Sequence, residues 1–182
     1  DQTLDADVSA ITAATGSGAT LTGTYLTSGS GDFIGNFGTA GMTVNISDGA
    51  TMTVAANKVD GSTGPTLQKD GSSGTGIVAV RIGDADKAVN MTTISSSGAA
   101  STTFTVFQTI SNFTGTLAAT TSVADNVSLT SAFSKLTGKT INHDDSEAGQ
   151  ALIVKIADAD SSADLNNITS NITNITAVFT ES

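Results

Sequence analysis

The sequence has no cysteine and no tryptophan, and only one proline, one histidine and one tyrosine. Without thiols there is no disulfide staple, no thiolate nucleophile and no cysteine-ligated zinc. A Ser-His-Asp arrangement would have to use His143, the lone histidine, which stands in "NHDDSE". An Asp-rich turn suits a surface histidine better than a catalytic one. Lys and Arg total 7 against 17 acidic residues, a net charge of −10. No basic patch is available to neutralise phosphates, so nucleic acid is excluded as a partner, and an anionic membrane surface would repel the chain. No apolar run is long enough to span a bilayer, so membrane insertion is not expected. The opening "DQTLDADVSA" is acidic and polar, with no signal peptide to be read in it. The glycines do not form a Walker or Rossmann pattern. Aromatic residues are 4% of the chain, which leaves a thin core of Val, Ile, Leu and Ala.

What the chain does have is Ser and Thr, about 29% together, and 19 glycines. These suit strands, turns and extended surfaces rather than packed helices. The acid is nearly all Asp, with Glu only at 147 and 181; Asp favours turns and calcium ligation. In "GIVAVRIGD" Val78, Val80 and Ile82 share one face, and in "QALIVKIAD" Leu152, Val154 and Ile156 do the same. Period two with β-branched residues predicts strands with these six residues buried. The stems of Arg81 and Lys155 can lie along apolar neighbours with their charges in water. Further strands are expected at 20–26, 32–37, 42–47, 65–69, 103–108, 115–119, 126–130, 139–142 and 174–180. Short helices are expected at 54–59 and 131–136, each ended by glycine, at Gly61 and Gly138.

The chain repeats itself. "GPTLQKD" from Gly64 aligns with "GKTINHD" from Gly138, and the offset of 74 runs without a gap to Ile94 and Ile168. Upstream, "TMTVAANKVDG" (51–61) lies on "SLTSAFSKLTG" (128–138) after a three-residue shift. "ADVSAIT" (6–12), "VNMTTIS" (89–95) and "ADLNNIT" (163–169) are versions of one phrase. This divides the chain into the tail of a preceding repeat (1–12), repeat unit 1 (13–95) and repeat unit 2 (96–182), as if cut from a longer array. The expected fold is all-β, a solenoid-like stack of short strands with one short helix per repeat. A β-sandwich of antiparallel hairpins is the alternative.

Asp-Ala-Asp closes the repeated strand twice. Asp158, Asp160 and Asp164 place three carboxylates in seven residues, and Asp84 and Asp86 place two in the matching turn, with Asn90 where Asp164 stands. Calcium takes six to eight hard oxygens, and alternate Asp residues at a strand end can converge on one point. Calcium is therefore the candidate cofactor, at Asp158, Asp160 and Asp164 with a weaker site at Asp84 and Asp86; the plain alternative is a solvated capping turn. Seven Asn-x-Ser/Thr sequons (Asn45, Asn90, Asn112, Asn126, Asn167, Asn171 and Asn174) allow N-glycosylation. Thr-x-Thr pairs at 20–22, 51–53 and 103–105 are better explained by cross-strand Thr ladders than by an ice-binding array.

Together, "VSLTSAFSKLTGKTI", "ALIVKIADAD" and "ADLNNIT" resemble the degenerate tandem repeats of large secreted bacterial surface proteins, namely surface-layer proteins and giant adhesins of the repeats-in-toxin type. The resemblance covers most of both units. It implies an extracellular, cell-surface structural protein or adhesin fragment that is not an enzyme. Such a protein self-associates into a surface layer, filament or stalk. Its partners would be copies of itself or neighbouring repeats, and cell-surface glycans. A carbohydrate- or ice-binding β-module without catalysis is the alternative.

Overall fold

The computed structural model describes residues 2–4, 21–25, 30–37, 42–60, 65–69, 75–94, 96–97, 101–144, 149–157, 160 and 162–180. Gly61, Gly64, Asp158 and most of the expected tail at 1–12 lie outside these residues. The fold is all-β, built from short strands in parallel sheets. The chain forms two compact units: Asp1–Val80 with Thr93–Thr103, and Arg81–Thr92 with Phe104–Ser182.

The first unit holds β1 (Gln2–Leu4), β2 (Leu21–Tyr25), β3 (Ser30–Phe33), β4 (Met42–Ile46), β5 (Thr51–Ala55), β6 (Thr66–Lys69), most of β7 (Ile77–Ile82) and β8 (Ser96–Ser97). Consecutive strands do not pair. The odd strands run in the order β1-β3-β5-β7 and the even strands in the order β2-β4-β6-β8. The registers are parallel: Phe33 lies beside Val54, and Val44 beside Leu67. A parallel pair cannot be closed by a two-residue hairpin, so the strand between becomes part of the crossover. Alternation then sorts the residues: Met52, Val54, Val44, Ile46, Leu67, Val78 and Val80 are buried, and Thr51, Thr53 and Ala55 are half-exposed.

The second unit holds the end of β7, the second half of β9 (Ser101–Val106), then β10 (Ile110–Phe113), β11 (Thr120–Val123), β12 (Ser128–Ala132), α1 (Phe133–Leu136), β13 (Thr140–His143), β14 (Ala151–Ala157), β15 (Thr169–Ser170) and β16 (Asn174–Thr180). Its strand orders are β9-β11-β13-β15 and β10-β12-β14-β16. Across the second of these, Leu129, Leu152 and Ile175 stand in register in one column, as do Ser131, Val154 and Ala177. Leu129, Leu152 and Val154 are fully buried, with Ile110, Phe113, Leu117, Val123, Leu136 and Ile141.

Elements recur at the spacing read from the sequence. β5 and the 3-10 turn Ala56–Lys58 are followed 77 residues later by β12 and α1. β6, β7 and the 3-10 turn Met91–Thr93 return 74 residues later as β13, β14 and the turn Leu165–Asn167. Pairings recur too: β2-β4 as β9-β11, β4-β6 as β11-β13, and β6-β8 as β13-β15. The turn before β5 closes with Ala50 N–H donating to Ser47 O, and the turn before β12 with Val127 N–H donating to Ala124 O. Each needs a left-handed residue, met by Gly49 (φ 71°) in one and Asn126 (φ 57°) in the other.

Some expectations fail locally. Val78, Val80, Ile82, Leu152 and Val154 are buried, but Ile156 is half-exposed. β12 ends at Ala132, beside Lys155, so no β12 residue stands in register with Ile156. The helices expected at 54–59 and 131–136 begin later, at 56 and 133, because Val54 and Ser131 are claimed by strand alternation. Gly138 does adopt the left-handed conformation after α1 (φ 71°). The strand expected at 115–119 is absent. There Gly115 passes so close to the Val89 carbonyl and Ala88 backbone that no Cβ fits, and Thr116 forms only a single bridge to Asn90. The strand starts at Thr120 instead, and the one expected at 126–130 starts at Ser128.

Candidate functional site

The Asp-Ala-Asp turns are built by the strand ends before them. β7 ends at Ile82, and Gly83 then leads into the 3-10 turn Asp84–Asp86. The Asp86 carboxylate, 3% exposed, folds back and accepts the Gly83 N–H at 2.8 Å. In the second copy Asp160 accepts the Ala157 N–H at 3.1 Å. A backbone amide at a strand end has lost its ladder partner, and a carboxylate three residues later satisfies it. Asp84 points outward and pairs with the Lys87 ammonium at 3.5 Å, with both side chains more than half exposed. Asp164 caps the turn Leu165–Asn167 by accepting from Asn166 N at 3.0 Å and Nδ2 at 2.8 Å. Asn90, its counterpart, accepts the Thr92 N–H at 3.1 Å and hydroxyl at 2.7 Å. Asp86, Asp160 and Asp164 thus each serve a separate backbone amide. Asp158 lies outside the described residues. Among the described residues no group of three acidic or histidine side chains converges on a point. Calcium ligation here stays a proposal, in which these carboxylates share their remaining lone pairs with the ion.

A second repeated acid was missed by sequence reading. Asp48 accepts both the Thr75 N–H and hydroxyl at 2.7 Å, and these bonds hold its pKa below the usual 3.8. Asp125, its counterpart, accepts from Gln150 Nε2. The signal was the shared turn phrase "SDGA" and "ADNV", each with an Asp before the left-handed residue. The basic residues inside the repeated strands keep to the surface. Arg81 lies 5.9 Å from the Phe107 ring centroid, and Lys155 reaches Ser111 O and Asn112 Oδ1. His143 is half-buried on β13. Its backbone N–H donates to Asn171 Oδ1, and its buried Nδ1 has no hydrogen-bond partner among the described residues.

The surface with the most distinctive chemistry is β16. It is the last strand in the order β10-β12-β14-β16, and Asn174 to Phe179 are all exposed. Ile175 continues the buried column of Leu129 and Leu152 yet is 46% exposed, and Phe179 is 82% exposed. Sequence reading found the strand; the uncharged run "NITAVFT" was the available signal for an open apolar edge. Among the described residues no helix is long and apolar enough to cross a membrane. No protein-family model, curated protein or solved structure matches this chain.

Proposed function

We propose that this chain is a structural β-repeat of an extracellular, cell-surface assembly, a non-catalytic surface-layer or adhesin segment that works by associating with copies of itself or with neighbouring repeats. The observation that carries the reading is the parallel ladder of β10, β12, β14 and β16, in register from β12 to β16, with its apolar column left exposed at β16. A strand edge of this kind is a template for another strand. Pairing of each strand with the one two positions later supports a solenoid-like stack, in which every layer buries the one before it. It disfavours a sandwich, which needs antiparallel hairpins. The tandem division into units 13–95 and 96–182 is supported by the recurring elements and turns.

The test is light scattering and sedimentation across protein concentration, at low and then higher salt. Association that grows with concentration and with charge screening, and that is lost when residues 174–182 are deleted, is the expected result. A strictly monomeric chain under all conditions would remove the reading. One observation favours the binding-module alternative: Thr120, Thr140 and Thr169 stand in register across β11, β13 and β15, a neutral hydroxyl ladder. These are not the Thr-x-Thr pairs of the sequence. Inhibition of ice recrystallisation, abolished by Thr140→Tyr, is the outcome that would move the assignment there.

A further inference from the structure

We infer that the outer edge of β16 receives β2 of a second copy, in parallel, so that the chain assembles head to tail. This rests on the self-association proposed above and names the two edges that meet. The first argument is the series formed by β2, β9 and β16, three strands related by the repeat. β2 carries β4 on its outer side and β9 carries β11, both parallel. β16 has β14 on its inner side, and no described strand occupies the outer place. β2 is the converse: its outer side holds β4, and it is terminal on the other. The two strands are of one type and, among the described residues, each lacks a neighbour on the side that the other has filled. The open edges are therefore complementary rather than identical.

The second argument is polarity. A symmetric β16-to-β16 contact about a two-fold axis normal to the sheet makes the strands antiparallel, and one about an axis along the strands sets each N–H opposite its own copy, so neither extends a parallel ladder. Every registered pairing named above is parallel. Head-to-tail addition extends that ladder with no change of hydrogen-bond pattern. The third argument is composition. Protein edges are usually blunted by Lys, Pro or inward-pointing charge. β2 (LTGTY) and β16 (NITAVFT) contain none of these, so the −10 charge of the chain is carried elsewhere. Both alternate apolar residues in the register of buried columns: Ile175 follows Leu152, and Gly23 and Tyr25 pair with Val44 and Ile46. A heterologous contact leaves one free edge of each kind on every assembly, so growth continues until a ring closes.

Two double variants test this. T176D/V178D places carboxylates on exposed positions of β16, and T22D/T24D places two carboxylates on β2. Circular dichroism and thermal melting check that each retains its fold; the single variant Phe179→Lys, at a position 82% exposed, is the reserve for β16. Sedimentation velocity should show concentration-dependent growth for the unsubstituted chain and monomer for each variant alone. A mixture of the two variants should give a one-to-one dimer and nothing larger, since only one productive pair of edges remains. If T22D/T24D still associates alone, or the mixture stays monomeric while the unsubstituted chain associates, the head-to-tail contact is wrong and self-association stands by another route. If the unsubstituted chain is monomeric at every concentration, self-association itself falls.

Discussion

Replacing Asp86 by alanine separates a structural carboxylate from a metal ligand. Asp86 is 3% exposed and its Oδ2 accepts the Gly83 N–H at 2.8 Å. The Asp86→Ala variant leaves that amide buried without a partner, since Gly83 is itself buried. An unmade buried hydrogen bond of this kind costs about 1–3 kcal/mol, towards the upper end when the acceptor was ionised. Asp84, two residues earlier, is 56% exposed and pairs with the similarly exposed Lys87 ammonium at 3.5 Å. Its loss should cost between 0 and about 0.5 kcal/mol. The assay is urea unfolding followed by circular dichroism, in excess chelator. With a slope of about 1–3 kcal/mol per molar urea, a loss of about 2 kcal/mol moves the midpoint down by roughly 1 M. The Asp84→Ala midpoint should stay within error of the unsubstituted chain. Equal midpoints for both variants in chelator, with a difference appearing only when calcium is added, would refute the capping argument.

Leu152→Ala should cost about 2–5 kcal/mol, because Leu152 is fully buried between Leu129 and Ile175, whereas the half-exposed Ile156→Ala should cost clearly less; equal losses would mean the column is not the core. If Asp158, Asp160 and Asp164 hold calcium, calorimetry in millimolar calcium should show a higher melting temperature than in chelator, since the ion binds the native state by mass action; coincident curves would assign these residues to turns alone. For Asp48, the folded pKa lies below 3.8, so its Thr75 bonds add stability at pH values above 3.8 that is lost as the pH falls through the folded value. The stability gap between the unsubstituted chain and Asp48→Asn should therefore be flat from pH 7 to 5 and close below pH 4, as read by denaturation at each pH; a gap that widens on acidification would contradict the geometry.

Strand identity and the core-facing side were legible without coordinates. Alternation in "GIVAVRIGD" and "QALIVKIAD" is a local property, because period two is written by each residue's own neighbours. The repeat was legible for the same reason, as was the left-handed Gly138 after its short helix. β5 was partly lost: Val54-Ala55-Ala56-Asn57 reads as helix locally, and only its place beside Phe33 and the buried column makes Val54 a strand residue. Gly115 read as the first residue of a strand over 115–119, and the closeness of the Val89 carbonyl, which moves that strand to Thr120, depends on a segment 26 residues away. The Asp-Ala-Asp phrase was read as either ligand or cap. What distinguishes those roles for Asp86 is the direction of one side chain towards the Gly83 amide, and spacing alone does not set it. Composition and alternation determined that this chain forms short strands with a thin aliphatic core. Which strands pair, in parallel and with the second neighbour rather than the first, was decided by tertiary structure, because sheet hydrogen bonds join residues some twenty positions apart and the apolar pattern of a strand is the same whichever partner it finds.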